Sequence, residues 1–112
     1  MRKVVIMMLL SLGITLTASA QSKNEKIVIQ TSAVCEMCKT NIEGALNKLE
    51  GVKGAYLDLK TMAVTVRYDA TTLNAQNIIA AITLAGYDAN EVPADEAAYE
   101  NLHSCCKKDV VH

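Results

Sequence analysis

The sequence predicts an α+β fold with the element order β-α-β-β-α-β. Three observations predict it: apolar residues at every second position near 27–33, 55–59 and 62–68; apolar residues at helical spacing over 40–49 and 78–85; and a glycine just past each helix, Gly51 and Gly86. Alternation marks strands because successive side chains point to opposite faces, while a period near 3.6 marks a helix with one buried stripe.

Taken in order, Ile27, Ile29, Thr31 and Ala33 share parity and give one face of a first strand. Ile42, Leu46 and Leu49 recur at i, i+4 and i+7, and Gly51 can end their helix in the left-handed conformation. A hairpin follows, with Ala55, Leu57 and Leu59 on one arm, Met62, Val64, Val66 and Tyr68 on the other, and Lys60-Thr61 as the expected turn. Ile78, Ile82 and Ala85 form a second amphipathic helix, and residues 87–92 are expected to be a short last strand. This is the split βαβ order of ferredoxin-like folds, in which two helices cover one face of a four-stranded antiparallel sheet. With no Trp or Phe in the chain, the core must come from Ile, Val, Leu, Ala and Met. Beyond it, Pro93 at a helix start and the Ala- and Glu-rich run 94–102 predict a short C-terminal helix, followed by a Cys-rich tail.

The chain divides into three segments: 1–20, 21–92 and 93–112. Arg2 and Lys3 precede an apolar stretch over 4–16, and Ala18-Ser19-Ala20 supplies small residues before Gln21, the pattern of a secretory signal peptide. The apolar stretch is shorter than the roughly 20 residues that span a bilayer, so no stable membrane insertion is expected after cleavage. The expected location is periplasmic or secreted. Cleavage leaves 92 of the 112 residues, enough for one small domain, with nine basic residues against twelve acidic ones. The resulting formal charge of −3 argues against nucleic acid as a partner.

The chemistry is concentrated in cysteine. Cys35-Glu36-Met37-Cys38 sets two thiols at a strand-to-helix junction, a place that suits a thiophilic metal ion. The spacing is shared with redox sites, zinc ribbons and disulfide pairs. Two thiolates satisfy a monovalent d¹⁰ ion such as Cu(I), or Hg(II), in near-linear coordination, whereas Zn(II) seeks four ligands. A two-thiolate ion also stays open to a partner's thiols, which permits transfer by ligand exchange.

The tail adds His103, Cys105, Cys106 and the terminal His112. For the histidines the plain alternative is a solvated tail residue, and for the cysteines a disulfide. A bond between neighbours is awkward, because adjacent Cα atoms stand about 3.8 Å apart and disulfides usually need 4.4 Å or more. A helix over 94–102 would rise roughly 14 Å beside a sheet about 20 Å long. Running back along the sheet, it would bring Cys105 and Cys106 up to Cys35 and Cys38, giving a three- or four-sulfur site that admits Zn(II) or Cd(II).

Cys35-Glu36-Met37-Cys38, Leu49-Glu50-Gly51-Val52, Ala63-Val64-Thr65-Val66-Arg67-Tyr68-Asp69 and Ala85-Gly86-Tyr87-Asp88 together resemble the heavy-metal-associated domain family over about 27–92. That family includes copper chaperones and periplasmic mercuric-ion binders. The resemblance implies Cys35 and Cys38 as metal thiolates, Tyr87 in the loop beside them, and a metal-transporting membrane protein or another metal-binding domain as partner. The chain departs from the family in having Ser32-Ala33-Val34-Cys35 where Gly-Met-x-Cys is usual, and Glu36-Met37 where small residues are common.

The functional expectation is an exported protein that carries or sequesters copper or a similar soft ion. A thiol–disulfide exchange protein is the first alternative, weakened by the lack of Trp, of a Pro between the cysteines and of a mid-chain Pro. The second is a non-catalytic adaptor stapled by disulfides. No nucleophile–base pair or phosphate loop points to an enzyme.

Overall fold

The computed structural model describes residues 23–108. The expected signal peptide and His112 lie outside them. The elements are strand β1 (Asn24–Gln30), helix α1 (Glu36–Asn47), strands β2 (Val52–Leu57) and β3 (Ala63–Asp69), and helix α2 (Ala75–Leu84). A short helix α3 (Glu96–Glu100) and a 3₁₀ turn (Ser104–Cys106) complete the order.

The sheet is antiparallel with order β1-β3-β2, so the strand in the middle, β3, carries the register of both neighbours. Ile27 and Ala55 flank Val66, and Ile29 and Leu57 flank Val64, which gathers the apolar parity of all three strands on one face. Ile42 and Leu46 of α1 and Ile78 and Ile82 of α2 pack on that face, each fully buried. Burying one such side chain stabilises the fold by about 1.5–3 kcal/mol. The other face is open: Val28 and Tyr56, which flank Thr65, are 58% and 60% exposed.

Three expectations need local correction. Helix α1 begins at Glu36 rather than near residue 40, because extended Cys35 serves as its N-cap, and buried Cys38, four residues before Ile42, extends the inward stripe of the helix by one turn. The hairpin loop is longer than Lys60-Thr61. Met62 has a φ of 62°, and its N–H closes on the Asp58 carbonyl at 2.6 Å, so Leu59 and Met62 leave the sheet. The tail helix covers five residues instead of nine, starting after the Asp95 cap.

The larger correction concerns the fourth strand, which does not form over 87–92. Only Ala89 makes a bridge to the sheet side, with Thr31. Asn90 is the reason. Its N–H donates to the Gln30 carbonyl at 2.7 Å, its side-chain oxygen accepts the Gln30 N–H at 2.9 Å, and its φ of 52° turns the chain. Asn tolerates this left-handed geometry and offers a side-chain acceptor in place of a backbone one. Ala89 and Val92 then exchange two hydrogen bonds, at 2.9 and 3.0 Å, closing a reversal where a strand was expected. The architecture is therefore α+β and ferredoxin-like, with two main helices on a three-stranded antiparallel sheet.

That reversal sends the tail back along α2. The Asp95 N–H donates to the Thr83 carbonyl at 2.9 Å, and α3 passes over Gly86 so closely that a Cβ there would stand 3.0 Å from the Ala98 carbonyl oxygen and from Leu102 Cδ2. Gly86 also has a φ of 105°. Gly86→Ala is thus expected to lower unfolding stability by about 1–3 kcal/mol, since a side chain meets both left-handed strain and a backbone contact. Urea unfolding would measure it; an unchanged midpoint would show that α3 does not pack there.

Candidate metal centre

Four cysteines meet where the first turn of α1 faces the 3₁₀ turn of the tail. Cys35 caps the helix and Cys38 lies within its first turn, fully buried. From the tail, the His103 carbonyl accepts the Cys106 N–H at 2.8 Å, a tight turn that leaves Cys106 1% exposed and Cys105 half-buried. Cys35 Sγ stands 3.4 Å from Cys38 Sγ, 3.8 Å from Cys106 Sγ and 3.9 Å from Cys105 Sγ. All four thiols are free, with no disulfide among them.

These separations have a coordination meaning. Four sulfurs around an ion at a metal–sulfur distance of about 2.3 Å form a tetrahedron with edges of about 3.8 Å. Among the described residues, Cys35, Cys105 and Cys106 place their sulfurs within 4.8 Å of one another, a group that could hold a metal ion; Cys38, close to Cys35, is outside that group. His103 is exposed and outside that group. Its carbonyl holds the 3₁₀ turn through the Cys106 N–H. Met37 lies at the solvent side, with its Sδ 3.8 Å from Cys105 Sγ.

Tyr87 forms the floor. It is fully buried, and its hydroxyl accepts a hydrogen bond from Asn41 Nδ2 at 3.1 Å. Burial pushes its ionisation well above the ordinary tyrosine range, against the Asn41 bond and with added upward pressure from Cys106 and Cys38. The phenol stays neutral, a hydrogen-bonding wall beside the sulfurs.

The thiols are unequal. Desolvation alone would raise Cys35, but the Cys38 N–H and the neighbouring Cys38, Cys106 and Cys105 thiols all stabilise its thiolate and bring it down to about 7. The N-terminus of α1 acts in the same direction. Burial pushes Cys106 strongly up, and desolvation followed by the Cys35 sulfur raises Cys105. In the reduced, metal-free protein, alkylation should therefore reach Cys35 first. Its rate should rise with pH through a midpoint near 7, because the thiolate is the nucleophile. Peptide mass mapping across pH 5–9 would check this; a Cys35 midpoint near the ordinary thiol value would refute the assigned contacts.

Residues that the sequence left without a role fasten the tail. Asp88 accepts the Ala94 N–H at 2.9 Å and pairs with Lys108 Nζ at 3.0 Å, while its own N–H donates to Ser32 Oγ at 2.9 Å. Burial opposes ionisation of Asp88, yet the Ala94 N–H and the Lys108 ammonium hold its carboxyl below the usual range. The Lys108 N–H adds a bond to the Tyr99 hydroxyl at 2.9 Å. Asp88 thus ties together the approach to Cys35, the start of the tail and the residue two beyond its cysteine pair. Its place after Gly86-Tyr87 was the only signal available in sequence.

The heavy-metal-associated domain profile matches residues 17–88. The chain belongs to the heavy-metal-associated domain family. A solved CopZ metallochaperone is 30% identical, with a TM-score of 0.56, covering 58% of this chain and 98% of that one. Oxidized MerP from Ralstonia metallidurans CH34 shares the fold at 22% identity and a TM-score of 0.59, over 61% of this chain and 96% of that one. Among curated relatives, the cation-transporting ATPase HMA5 of Oryza sativa subsp. japonica is 34% identical over 84 residues, 71% of this chain. The copper-transporting ATPase RAN1 of Arabidopsis thaliana is 36% identical over 62 residues, 55% of this chain. The matched region spans only 8% and 6% of the length of those two ATPases.

Proposed function

We propose that this heavy-metal-associated domain is an exported carrier or sequestering protein for a soft metal ion, with Cu(I) as its principal cargo. In this reading residues 1–20 are removed on export, 21–92 form the domain, and 93–112 supply a strap that completes the site. The observation that carries it is the position of Cys35 Sγ, 3.4–3.9 Å from the three other cysteine sulfurs. Cys35 and Cys38 are the primary thiolates, Cys105 and Cys106 close over the ion, and His103 stays outside. Cu(I) and Hg(II) suit the inner pair, while the four-sulfur set can also admit Zn(II) or Cd(II). The copper named for the copper-transporting ATPase RAN1 supports the first of these.

The chemistry is exchange of ligands. An incoming thiolate from a metal-transporting membrane protein, or from another metal-binding domain, attacks the ion from the half-open Cys105 side and displaces tail sulfurs before Cys35 and Cys38 release it. Nothing in this cycle breaks a covalent bond, so the protein acts as a binder and not as an enzyme. The test is to isolate the protein anaerobically from its native compartment, sequence its N-terminus and determine its metal content. An N-terminus at Gln21 with a bound soft ion is expected. A metal-free chain carrying a Cys35–Cys38 disulfide would support thiol–disulfide exchange instead.

A further inference from the structure

The sulfur cluster contains one donor beyond its four cysteines, and the five are arranged in two layers. Cys38 and Cys106 are 0% and 1% exposed and lie inside. Cys105 is half-buried and Met37 is 42% exposed, their sulfurs 3.8 Å apart on the solvent side. Cys35 belongs to both layers, because its sulfur is 3.4 and 3.8 Å from the inner pair and 3.9 Å from Cys105. At a metal–sulfur distance of about 2.3 Å, three sulfurs around one ion stand about 4 Å apart, close to the three spacings from Cys35 and to the 3.8 Å between Cys105 and Met37.

We propose that the site holds two Cu(I) ions, an inner one on Cys35, Cys38 and Cys106 and an outer one on Cys35, Cys105 and the Met37 thioether, with Cys35 bridging them. This rests on the reading of the cluster as a soft-metal thiolate centre and adds a second position to it. Charge permits the pair. Metal binding deprotonates only the thiols it uses, so the inner Cu(I) on three thiolates leaves two negative charges while Cys105 keeps its proton, and the second Cu(I), arriving as Cys105 loses that proton, leaves two again, as a single Zn(II) on four thiolates does. Coordination favours it, since Cu(I) is satisfied by two or three soft sulfurs and one ion would leave close neighbours unused. Met37 fits the outer position because a thioether is soft and neutral, and carries no proton to lose when the ion arrives. It also faces the solvent from which an ion or a partner's thiol would come. The Glu36-Met37 insert, unusual between the two loop cysteines, thereby gains a role.

The reduced chain from residue 21 to 112 would be titrated anaerobically with Cu(I) against a competing chelator and weighed intact by native mass spectrometry. Two Cu(I) per monomer are expected, with a copper–copper scattering path in X-ray absorption. Zn(II) should load at one per monomer. Met37→Leu keeps the size and the helix preference but removes the sulfur, and should weaken the second stepwise constant at least tenfold relative to the first. Saturation at one Cu(I), equal second steps in wild type and Met37→Leu, or a two-ion species found only in dimers would each overturn the proposal. Failure to bind any Cu(I) would instead remove the soft-metal reading on which it stands.

Discussion

Replacing Cys35 and Cys38 together by serine is expected to lower the affinity for the first Cu(I) by about a thousandfold or more, equivalent to about 4 kcal/mol. The size follows from the geometry. Cys35 Sγ lies within 3.9 Å of the three other cysteine sulfurs, and Cys38 is the closest of them at 3.4 Å. Serine keeps the side-chain volume but offers a hard oxygen that does not ionise near neutral pH, so both primary thiolates are lost while the helix cap can remain. Competition against a Cu(I) chelator, with circular dichroism to verify the fold, would measure the change. An affinity within threefold of wild type would mean that the tail alone binds the ion.

Replacing Cys105 and Cys106 by serine should act differently on different metals. Zn(II) and Cd(II) require about four ligands, so their affinity should fall by about a hundredfold or more once only two thiolates remain. The first Cu(I) should be held more nearly as before, because two thiolates already satisfy it. The full-length double variant is preferable to truncation after Val92, since it preserves α3 and the Asp88–Lys108 pair. Parallel titrations with Zn(II), Cd(II) and Cu(I) would separate the effects. Equal Zn(II) affinity in wild type and variant would show that the tail thiols do not join the ion.

Much of the fold was legible in sequence because its signals are periodic. The parity of Ile27 and Ile29, of Ala55 and Leu57, and of Val64, Val66 and Tyr68 matches the inward faces of all three strands, and Ile42, Leu46, Ile78 and Ile82 are the buried helical positions. Signals carried by single polar side chains were not legible in that way. Asn90 replaces a strand with a reversal through one side-chain acceptor and a positive φ, and a six-residue apolar-polar run gives no warning of it. The juxtaposition of the two cysteine pairs was anticipated, but by a route too long. A full fourth strand running away and a nine-residue helix returning were expected, whereas an immediate turn and a five-residue helix suffice. His103 was assigned to the site by residue type alone, and the structure shows it exposed, outside the three-cysteine group, with its carbonyl accepting the Cys106 N–H. Met37 was read as an oddity of the loop, because nothing in the chain's order places residue 37 beside residue 105.

The two halves of the sulfur cluster come from positions seventy residues apart in the chain. An ion held by both closes nearly the whole domain into a non-covalent ring. Closing a ring of that size restricts the unfolded chain by an amount on the order of 4 kcal/mol in the loop-entropy description. Loading and folding are then linked, and cargo becomes a structural cross-link. Local opening of α3, five residues with none buried, and of the three-residue 3₁₀ turn would be suppressed in the loaded protein and more frequent in the empty one. Under the proposed loading, a protease would distinguish full from empty protein by whether the segment 96–106 is pinned.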